Sequence, residues 1–187
     1  MNIGFALCGS YCTYSQVFPI MRLLAQEHTL IPIFSQNAYT TDSRFGTAQE
    51  HIRTVTDICS KEPLHTISQV EPIGPKKLLE ALVIAPCTGN TLAKLAHSIA
   101  DTSVTMAAKS HLRNGRPVLI AVSTNDALAG AAENIGKLLG KKHYYFVPFR
   151  QDDAYGKPTS MVADFALLPQ ALTGALAGKQ IQPMILN

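Results

Sequence analysis

Five apolar runs most constrain the fold that this chain can adopt. Each run is nearly continuous rather than alternating, and the first four are followed directly by a helical pattern. The runs span 2–8 (NIGFALC), 29–35 (TLIPIFS), 80–86 (EALVIAP), 116–122 (RPVLIAV) and 142–148 (KHYYFVP). Strands of this kind are typical of a parallel sheet that is buried on both faces. The sequence therefore predicts a doubly wound α/β fold, Rossmann-like or flavodoxin-like, with helices on both faces of a mostly parallel sheet in a three-layer sandwich.

Helical patterns fill most of the remaining chain. They span 16–27, 44–59, 91–101, 105–115, 126–140 and about 162–177. Ser15 is expected to cap the first helix. The 187 residues contain no internal repeat and no linker, so we expect one domain covering 1–187.

Composition excludes several classes of protein. Hydrophobic residues make up 47% of the chain and charged residues 16%, which indicates an ordinary folded domain, with part of its surface covered by other subunits. The net charge of +3 is spread without runs, which argues against nucleic acid as a partner. No apolar stretch approaches the ~20 residues of a membrane span, and the N-terminus lacks the basic region of a signal peptide. We expect a cytoplasmic protein with four reduced cysteines and no metal site.

Small polar residues follow every predicted strand. In doubly wound sheets the ligand lies beyond the carboxyl ends of the strands, so these loops are expected to meet at one edge. They are 9–15 (GSYCTYS), 35–41 (SQNAYTT), 86–91 (PCTGNT), 123–127 (STNDA) and 148–160 (PFRQDDAYGKPTS). Helix capping would explain any one loop, since Thr88 and Ser123 or Thr124 are good caps. Five such loops at one edge favour a binding site.

The first loop has the chemistry of a phosphate site. Gly9 permits close approach, Ser10, Thr13 or Ser15 can donate, and Tyr11 lies between them, before a helix N-terminus. The chain has neither a Walker loop nor G-x-G-x-x-G, which disfavours a classical ATPase and a standard NAD-binding domain.

The other loops offer amides and hydroxyls rather than charged nucleophiles or bases. This pattern suits the heteroaromatic edge of a flavin or nucleotide, and it favours cofactor binding over side-chain chemistry. The candidate cofactor-binding residues in these loops are Ser35, Gln36, Pro86, Cys87, Thr88, Gly89, Asn90, Thr91, Ser123 and Thr124. Asn125 is the candidate catalytic residue, expected to touch flavin or substrate.

The segment APCTGNTLAKLA resembles the PASANT-type segment of the flavoprotein superfamily that contains the homo-oligomeric flavin-containing cysteine decarboxylases and the flavin prenyltransferases. GSYCTYS, SQNA and VSTNDALAG fall where that superfamily has its phosphate loop, its flavin-contacting serine and its Asn-bearing loop. The resemblance covers residues 1 to about 178. It implies a bound FMN and a homo-oligomer, a trimer or a multiple of trimers, in which the protomers complete the flavin site together.

Two departures separate the chain from the decarboxylases of this superfamily. Their catalytic histidine stands shortly before the third strand, whereas the nearest histidine here, His65, lies 21 positions before Pro86 and is expected to be a loop or surface residue. Their PxMNxxMW motif is reduced to a segment that retains only Asn125, and the chain has no Trp. Cysteine decarboxylation is therefore disfavoured, while prenyl transfer stays open.

At closer range the chain is similar to a branch of the superfamily from endospore-forming bacteria. GFALCGSYCTY, PCTGNTLAKLA, VSTNDALAG, YFVPFRQDD and KPTSMVAD carry this similarity. The branch implies a role, with a second subunit, in making a pyridine dicarboxylate in the mother cell during sporulation. The expected step is a two-electron oxidation, with FMN here or NAD(P) on the partner as the oxidant. A non-catalytic role for this chain stays open as well.

A dicarboxylate substrate needs cationic or N–H-rich surroundings. The segment 149–160 supplies Arg150, Lys157 and Ser160, which are the candidate substrate-binding residues. This segment is interpreted either as a lid loop or as a solvated connector to the last helix.

Overall fold

The computed structural model describes all 187 residues. The strands are β1 (Asn2–Leu7), β2 (Thr29–Phe34), β3 (Ala81–Cys87), β4 (Val118–Thr124), β5 (Tyr144–Phe146), β6 (Phe149–Asp153) and β7 (Lys157–Ala163). The helices are α1 (Tyr14–Glu27), α2 (Gln36–Thr40), α3 (Ala48–Cys59), α4 (Ile67–Val70), α5 (Gly89–Ala96), α6 (Ser103–Leu112), α7 (Ala132–Leu139) and α8 (Leu168–Leu176).

The seven strands form one mostly parallel sheet. Their order is β2-β1-β3-β4-β7-β6, and β5 pairs with β4 beside this path. Strands β1 to β5 pair in parallel, with Phe5 opposite Pro32 on one side and Val83 on the other. Strands β6 and β7 form an antiparallel hairpin that joins β4. The predicted α/β sheet is confirmed.

Helices cover the sheet on both faces. The chain steps from β1 to β2 in one direction and from β2 through β3 to β4 in the other. Because parallel crossovers are right-handed, α1 and the helices that follow β3 lie on opposite faces. Helix α1 packs with α8, while α5 packs with α6 and α7. Between these layers the sheet is fully buried, with Phe5, Leu82, Ile84 and Ile120 at its centre.

The segment after the fifth strand differs from the prediction. Residues 149–160 form most of the β6–β7 hairpin rather than a loop, and the last helix begins at Leu168 rather than near 162. The Asp153 carboxylate accepts hydrogen bonds from the backbone N–H groups of Tyr155 and Gly156, which closes the turn. Pairing of β7 with β4 then satisfies backbone groups that a loop would leave to water.

Several helix boundaries also differ. The second predicted helix begins at Ala48 rather than 44, because Thr47 and Glu50 form a capping box. Ser15 lies inside α1, whose N-cap is Thr13. The predicted helix 126–140 is a turn as far as Ala131 and is helical only from Ala132.

None of the eight helices has the length and apolar character that crossing a lipid bilayer requires.

Candidate functional site

A cavity of about 770 Å³ lies at the carboxyl ends of β1, β3 and β4. Here the chain leaves β1 in one direction and β3 in the other, which is the usual ligand position in a doubly wound sheet. Its 16 lining residues include ten that the sequence predicted as site residues. These ten are Gly9, Ser10, Tyr11, Thr13, Thr88, Ser123, Thr124, Asn125, Lys157 and Ser160.

Three hydrogen bonds fix the conformation of the loop after β1. Ser10 Oγ lies 2.7 Å from Ser123 Oγ, which ties the loop to the end of β4. The hydroxyl of Thr13 donates to the Ser10 carbonyl over 2.8 Å, and the Tyr11 hydroxyl donates to the Asn37 carbonyl over 2.8 Å. The loop is therefore preorganised by its own chain.

This loop offers donors to an anion. The backbone N–H groups of Tyr11 and Cys12 have no acceptor in the protein, and they lead into the 14-residue helix α1. A Cβ at Gly9 would lie no closer than 3.6 Å to another atom, and Gly9 does not have a positive φ. The fold therefore does not require glycine here, whereas a ligand that contacts the backbone would. The donor set fits a phosphate.

The loop after β3 is used mostly for packing. The Thr88 hydroxyl donates to Thr91 Oγ1 over 3.2 Å, and Thr91 Oγ1 lies 3.3 Å from the buried Cys8 Sγ. A Cβ at Gly89 would come within 2.8 Å of both Asp126 Oδ1 and Thr124 Oγ1. Only Thr88 of this loop lines the cavity.

The other predicted residues of this segment lie outside the cavity lining. Pro86 and Cys87 are buried in β3, and Asn90 is exposed on the first turn of α5. Burial raises the pKa of the Cys87 thiol well above its ordinary value and that of Cys8 to about 11. Neither thiol is a reactive thiolate at neutral pH.

The end of β4 presents a free amide. Thr159 Oγ1 donates to the Asn125 carbonyl over 2.7 Å, which fixes the main chain. The Asn125 side chain lines the cavity, is exposed and has no hydrogen-bond partner in the protein. The neighbouring Thr124 hydroxyl is already bonded to the Asp126 carboxylate. Asn125 therefore keeps both a donor and an acceptor for a ligand.

The β6–β7 hairpin closes one side of the cavity. Lys157 Nζ donates to Asp152 Oδ2 over 2.7 Å, and both residues line the cavity. Arg150, predicted to bind substrate, instead pairs with Asp164 and does not line the cavity. Buried Ser160 does line it.

A second cavity of about 780 Å³ lies beyond β2 and receives the predicted residue Gln36. It also holds His65, whose ring stacks on Tyr39 with centroids 3.7 Å apart, and two carboxylates, Glu71 and Asp101. Ser35 caps α2 by accepting the Ala38 N–H and lines neither cavity. The structure thus separates the residues predicted after β2 from those after β1, β3 and β4.

Six residues of the main cavity were absent from the sequence prediction: Cys12, Gln16, Phe45, Asp152, Met161 and Val162. A turn such as DAYG between alternating residues is a hairpin signal, and it would have predicted the β6–β7 hairpin that carries Met161 and Val162. Nothing local marks Phe45, which reaches the cavity from the turn before α3.

Neutral donors and apolar side chains together define what the cavity can hold. Phe45, Met161 and Val162 supply apolar surface beside the hydroxyls and the Asn125 amide, and the N–H groups of Tyr11 and Cys12 add phosphate-type donors. The structure contains no group of three or more His, Cys, Asp or Glu that could hold a metal ion. The arrangement fits a planar heteroaromatic ligand with an anionic tail.

Comparison with known proteins agrees with this geometry. The model of the flavoprotein family matches residues 1–153. The B subunit of dipicolinate synthase from Bacillus subtilis (strain 168) is 44% identical over 187 residues, which is 100% of this chain and 94% of that protein.

Solved structures are also similar in fold. The crystal structure of the dipicolinate synthase B subunit from Bacillus halodurans superposes with a TM-score of 0.91 at 41% identity, covering 100% of this chain and 96% of that one. DmrB of Burkholderia xenovorans, solved in complex with FMN, has a TM-score of 0.68 at 17% identity, with 94% and 95% covered, and shares the fold alone. The chain therefore belongs to the flavoprotein family, and over its whole length it is similar to the B subunit of dipicolinate synthase.

Proposed function

We propose that this chain is the FMN-binding B subunit of a dipicolinate synthase. It acts with the A subunit to oxidise a dihydrodipicolinate-type precursor to dipicolinate in the cytoplasm of the mother cell of a sporulating bacterium. One observation carries the cofactor part of the proposal: the free N–H groups of Tyr11 and Cys12, beside Ser10 and Gly9, open into a cavity of about 770 Å³. The full-length similarity to a dipicolinate synthase B subunit, at 44% identity, supports the pathway part.

The residues of the main cavity divide between the two ends of the cofactor. Gly9, Ser10 and the N–H groups of Tyr11 and Cys12 would hold the phosphate, and Ser123 and Asn125 would face the ring. When bound, FMN would supply an acceptor for one hydride, which carries both electrons. A proton would leave the neighbouring ring position to water, and formation of the aromatic pyridine ring would supply the driving force.

The chain's own side chains bind and orient rather than transfer protons. No histidine lines the main cavity, and Asp152 is paired with Lys157. The free Asn125 amide donates to or accepts from the reacting edge, and Ser160 offers a hydroxyl nearby. These side chains suit a mechanism in which the protein positions the substrate against the cofactor. NAD(P) held by the A subunit is the alternative oxidant.

We also propose that the chain assembles as a trimer or a multiple of trimers. Ala129, Gly130, Ala132 and Gly136 are exposed along the turn before α7 and on α7 itself, so a second copy could approach the backbone closely there. Sedimentation at micromolar concentration tests this, and a monomer that holds FMN tightly would contradict it.

The function is tested by co-expressing the chain with the A subunit, identifying the bound cofactor and assaying dipicolinate formation. We expect a yellow complex that forms dipicolinate, and anaerobic bleaching of the flavin by the precursor. If the bound flavin is never bleached, the flavin does not oxidise the precursor. NAD(P) on the partner would then be the oxidant. Equal product formation by the A subunit alone would make this chain non-catalytic.

Asn125→Ala tests the positioning role. We expect product formation to fall at least about tenfold while FMN stays bound, since the amide is bonded to nothing else in the protein. Asn114→Ala is not a suitable control, because Asn114 donates to the Gly74 carbonyl. Exposed Asn90→Ala, outside the cavity lining, is the matched control. Unchanged activity in Asn125→Ala would refute the assignment. Decarboxylation or prenyl transfer by the wild type would favour the other flavin-dependent activities.

A further inference from the structure

Lys157 is the one lysine or arginine among the 16 residues that line the main cavity. It is the first residue of β7, opposite Asp153 across the hairpin. Its ammonium donates to Asp152 over 2.7 Å. The hydrogen bond from Lys157 and the charge of Asp152 raise the pKa of Lys157. Lys157 also lines the same cavity as Gly9, Ser10, Tyr11, Cys12 and Thr13 of the loop that follows β1. The ammonium of the hairpin and the loop before α1 therefore border the same cavity.

The loop opposite Lys157 offers only neutral donors. Ser10 Oγ is shared with Ser123, and the N–H groups of Tyr11 and Cys12 are open. A phosphate held by these groups alone would carry its charge beside the Asp152 carboxylate, which lines the same cavity. A cation in the cavity lining would offset that charge, and Lys157 is the one lysine or arginine there.

We propose that Lys157 is the counter-ion of the cofactor's phosphate, with Asp152 competing against the phosphate for the same ammonium. This inference rests on the proposed FMN site and assigns to Lys157 a role in selecting FMN over riboflavin. It replaces the substrate role expected from the sequence, because the same ammonium cannot also be the main partner of a substrate carboxylate. The ion pair ties the hairpin to the loop after β1 whenever phosphate is bound.

Two other cations lie nearby and do not fit this role. Arg150 is paired with Asp164 outside the cavity lining. The Arg44 guanidinium lies 4.8 Å from the centre of the Phe45 ring and does not line the cavity either. Arg44 is the useful comparison, because it carries the same charge near the same opening.

The test measures dissociation constants for FMN and for riboflavin by quenching of flavin fluorescence in the full-length protein. Lys157→Gln is expected to weaken FMN binding about tenfold, as for loss of a charge-assisted hydrogen bond, and to change riboflavin binding less than twofold. Asp152→Asn is expected to tighten FMN binding several-fold and to leave riboflavin binding unchanged. Arg44→Gln and the exposed Lys61→Gln serve as controls and should change neither constant by more than about twofold.

Salt dependence supplies a second measurement that does not need riboflavin to bind. FMN affinity of the wild type should fall as salt rises, and the slope should be smaller in Lys157→Gln. Equal FMN affinities and slopes in wild type and Lys157→Gln would overturn the inference while leaving the FMN site intact. A loss confined to Arg44→Gln would assign the phosphate to Arg44. A wild type that binds no flavin, alone or with the A subunit, would overturn the proposed function as well.

Discussion

Gly9→Ala is expected to affect protein stability and FMN binding differently. A Cβ at Gly9 would meet the Asn37 Cβ and the Tyr11 Oη at 3.6 Å, which is ordinary van der Waals contact, and the backbone is not left-handed there. At such positions Gly→Ala stabilises a protein by about 0.4–1 kcal/mol through the unfolded chain. For a chain of this size the melting temperature should stay constant or rise by about 1–4 °C.

Gly9 is part of the proposed phosphate cradle, so a methyl group there would take up space beside the Tyr11 ring at the cavity lining. An anion that contacts the backbone of Gly9 would have to move away, so the FMN dissociation constant is expected to rise at least about tenfold. Thermal unfolding without ligand and a fluorescence titration with FMN measure the two effects separately.

Gly4→Ala is the matched control in the sheet core. Its Cβ would lie 2.5 Å from Leu79 Cδ1 and 2.9 Å from Leu82 Cδ1, so overpacking should cost about 1–3 kcal/mol. The melting temperature should fall while FMN affinity, measured well below it, stays unchanged. Unaltered FMN binding by Gly9→Ala would show that no anion approaches this loop, and a fall of many degrees in its melting temperature would show that the loop is more tightly packed than these distances indicate.

Three further predictions concern hydrogen bonds, pH and thiols. The double variant Ser10→Ala/Ser123→Ala removes the 2.7 Å contact between the two loops and should weaken FMN binding about tenfold, whereas exposed Ser68→Ala should not. Burial lowers the pKa of His111 to about 4 from 6.5, so the unfolded chain takes up the proton first and stability falls as the pH drops below about 6.5. From this residue alone the loss at pH 5 is about 2 kcal/mol in urea unfolding, and an equal loss in His111→Gln would refute the assignment. The exposed Cys12 should react rapidly with a thiol reagent at pH 7.5 and be protected by FMN, while the three buried cysteines react only on unfolding; rapid reaction of two or more thiols would contradict this.

The parallel part of the fold was predictable from the sequence for a physical reason. Strands such as β3 and β4 are buried on both faces, so their residues are apolar almost without interruption. The hairpin was missed because β6 has exposed polar residues after Phe149, and such a strand has no buried face to mark it. Its position depends on pairing with Ser123 and Thr124 far along the chain, which no local pattern reports.

The candidate site was also predictable only in part. Loop residues that follow adjacent strands, such as Ser10 and Ser123, were predicted together because parallel strands bring their carboxyl ends to one edge. Gln36 was predicted with them, but α2 and the neighbouring loop direct it into a second cavity with His65. Thr91 was also predicted to bind the cofactor. In the structure its hydroxyl contacts the Cys8 thiol and so packs α5 against the end of β1. A hydroxyl that binds a ligand and one that packs a helix look alike in sequence.

The most direct test of the proposed FMN site is a titration with FMN of the purified full-length chain, alone and together with the A subunit. We expect saturable binding of about one FMN per chain, with FMN preferred over riboflavin and with affinity reduced in Gly9→Ala. Absence of FMN binding in both preparations, with the chain folded, would contradict it.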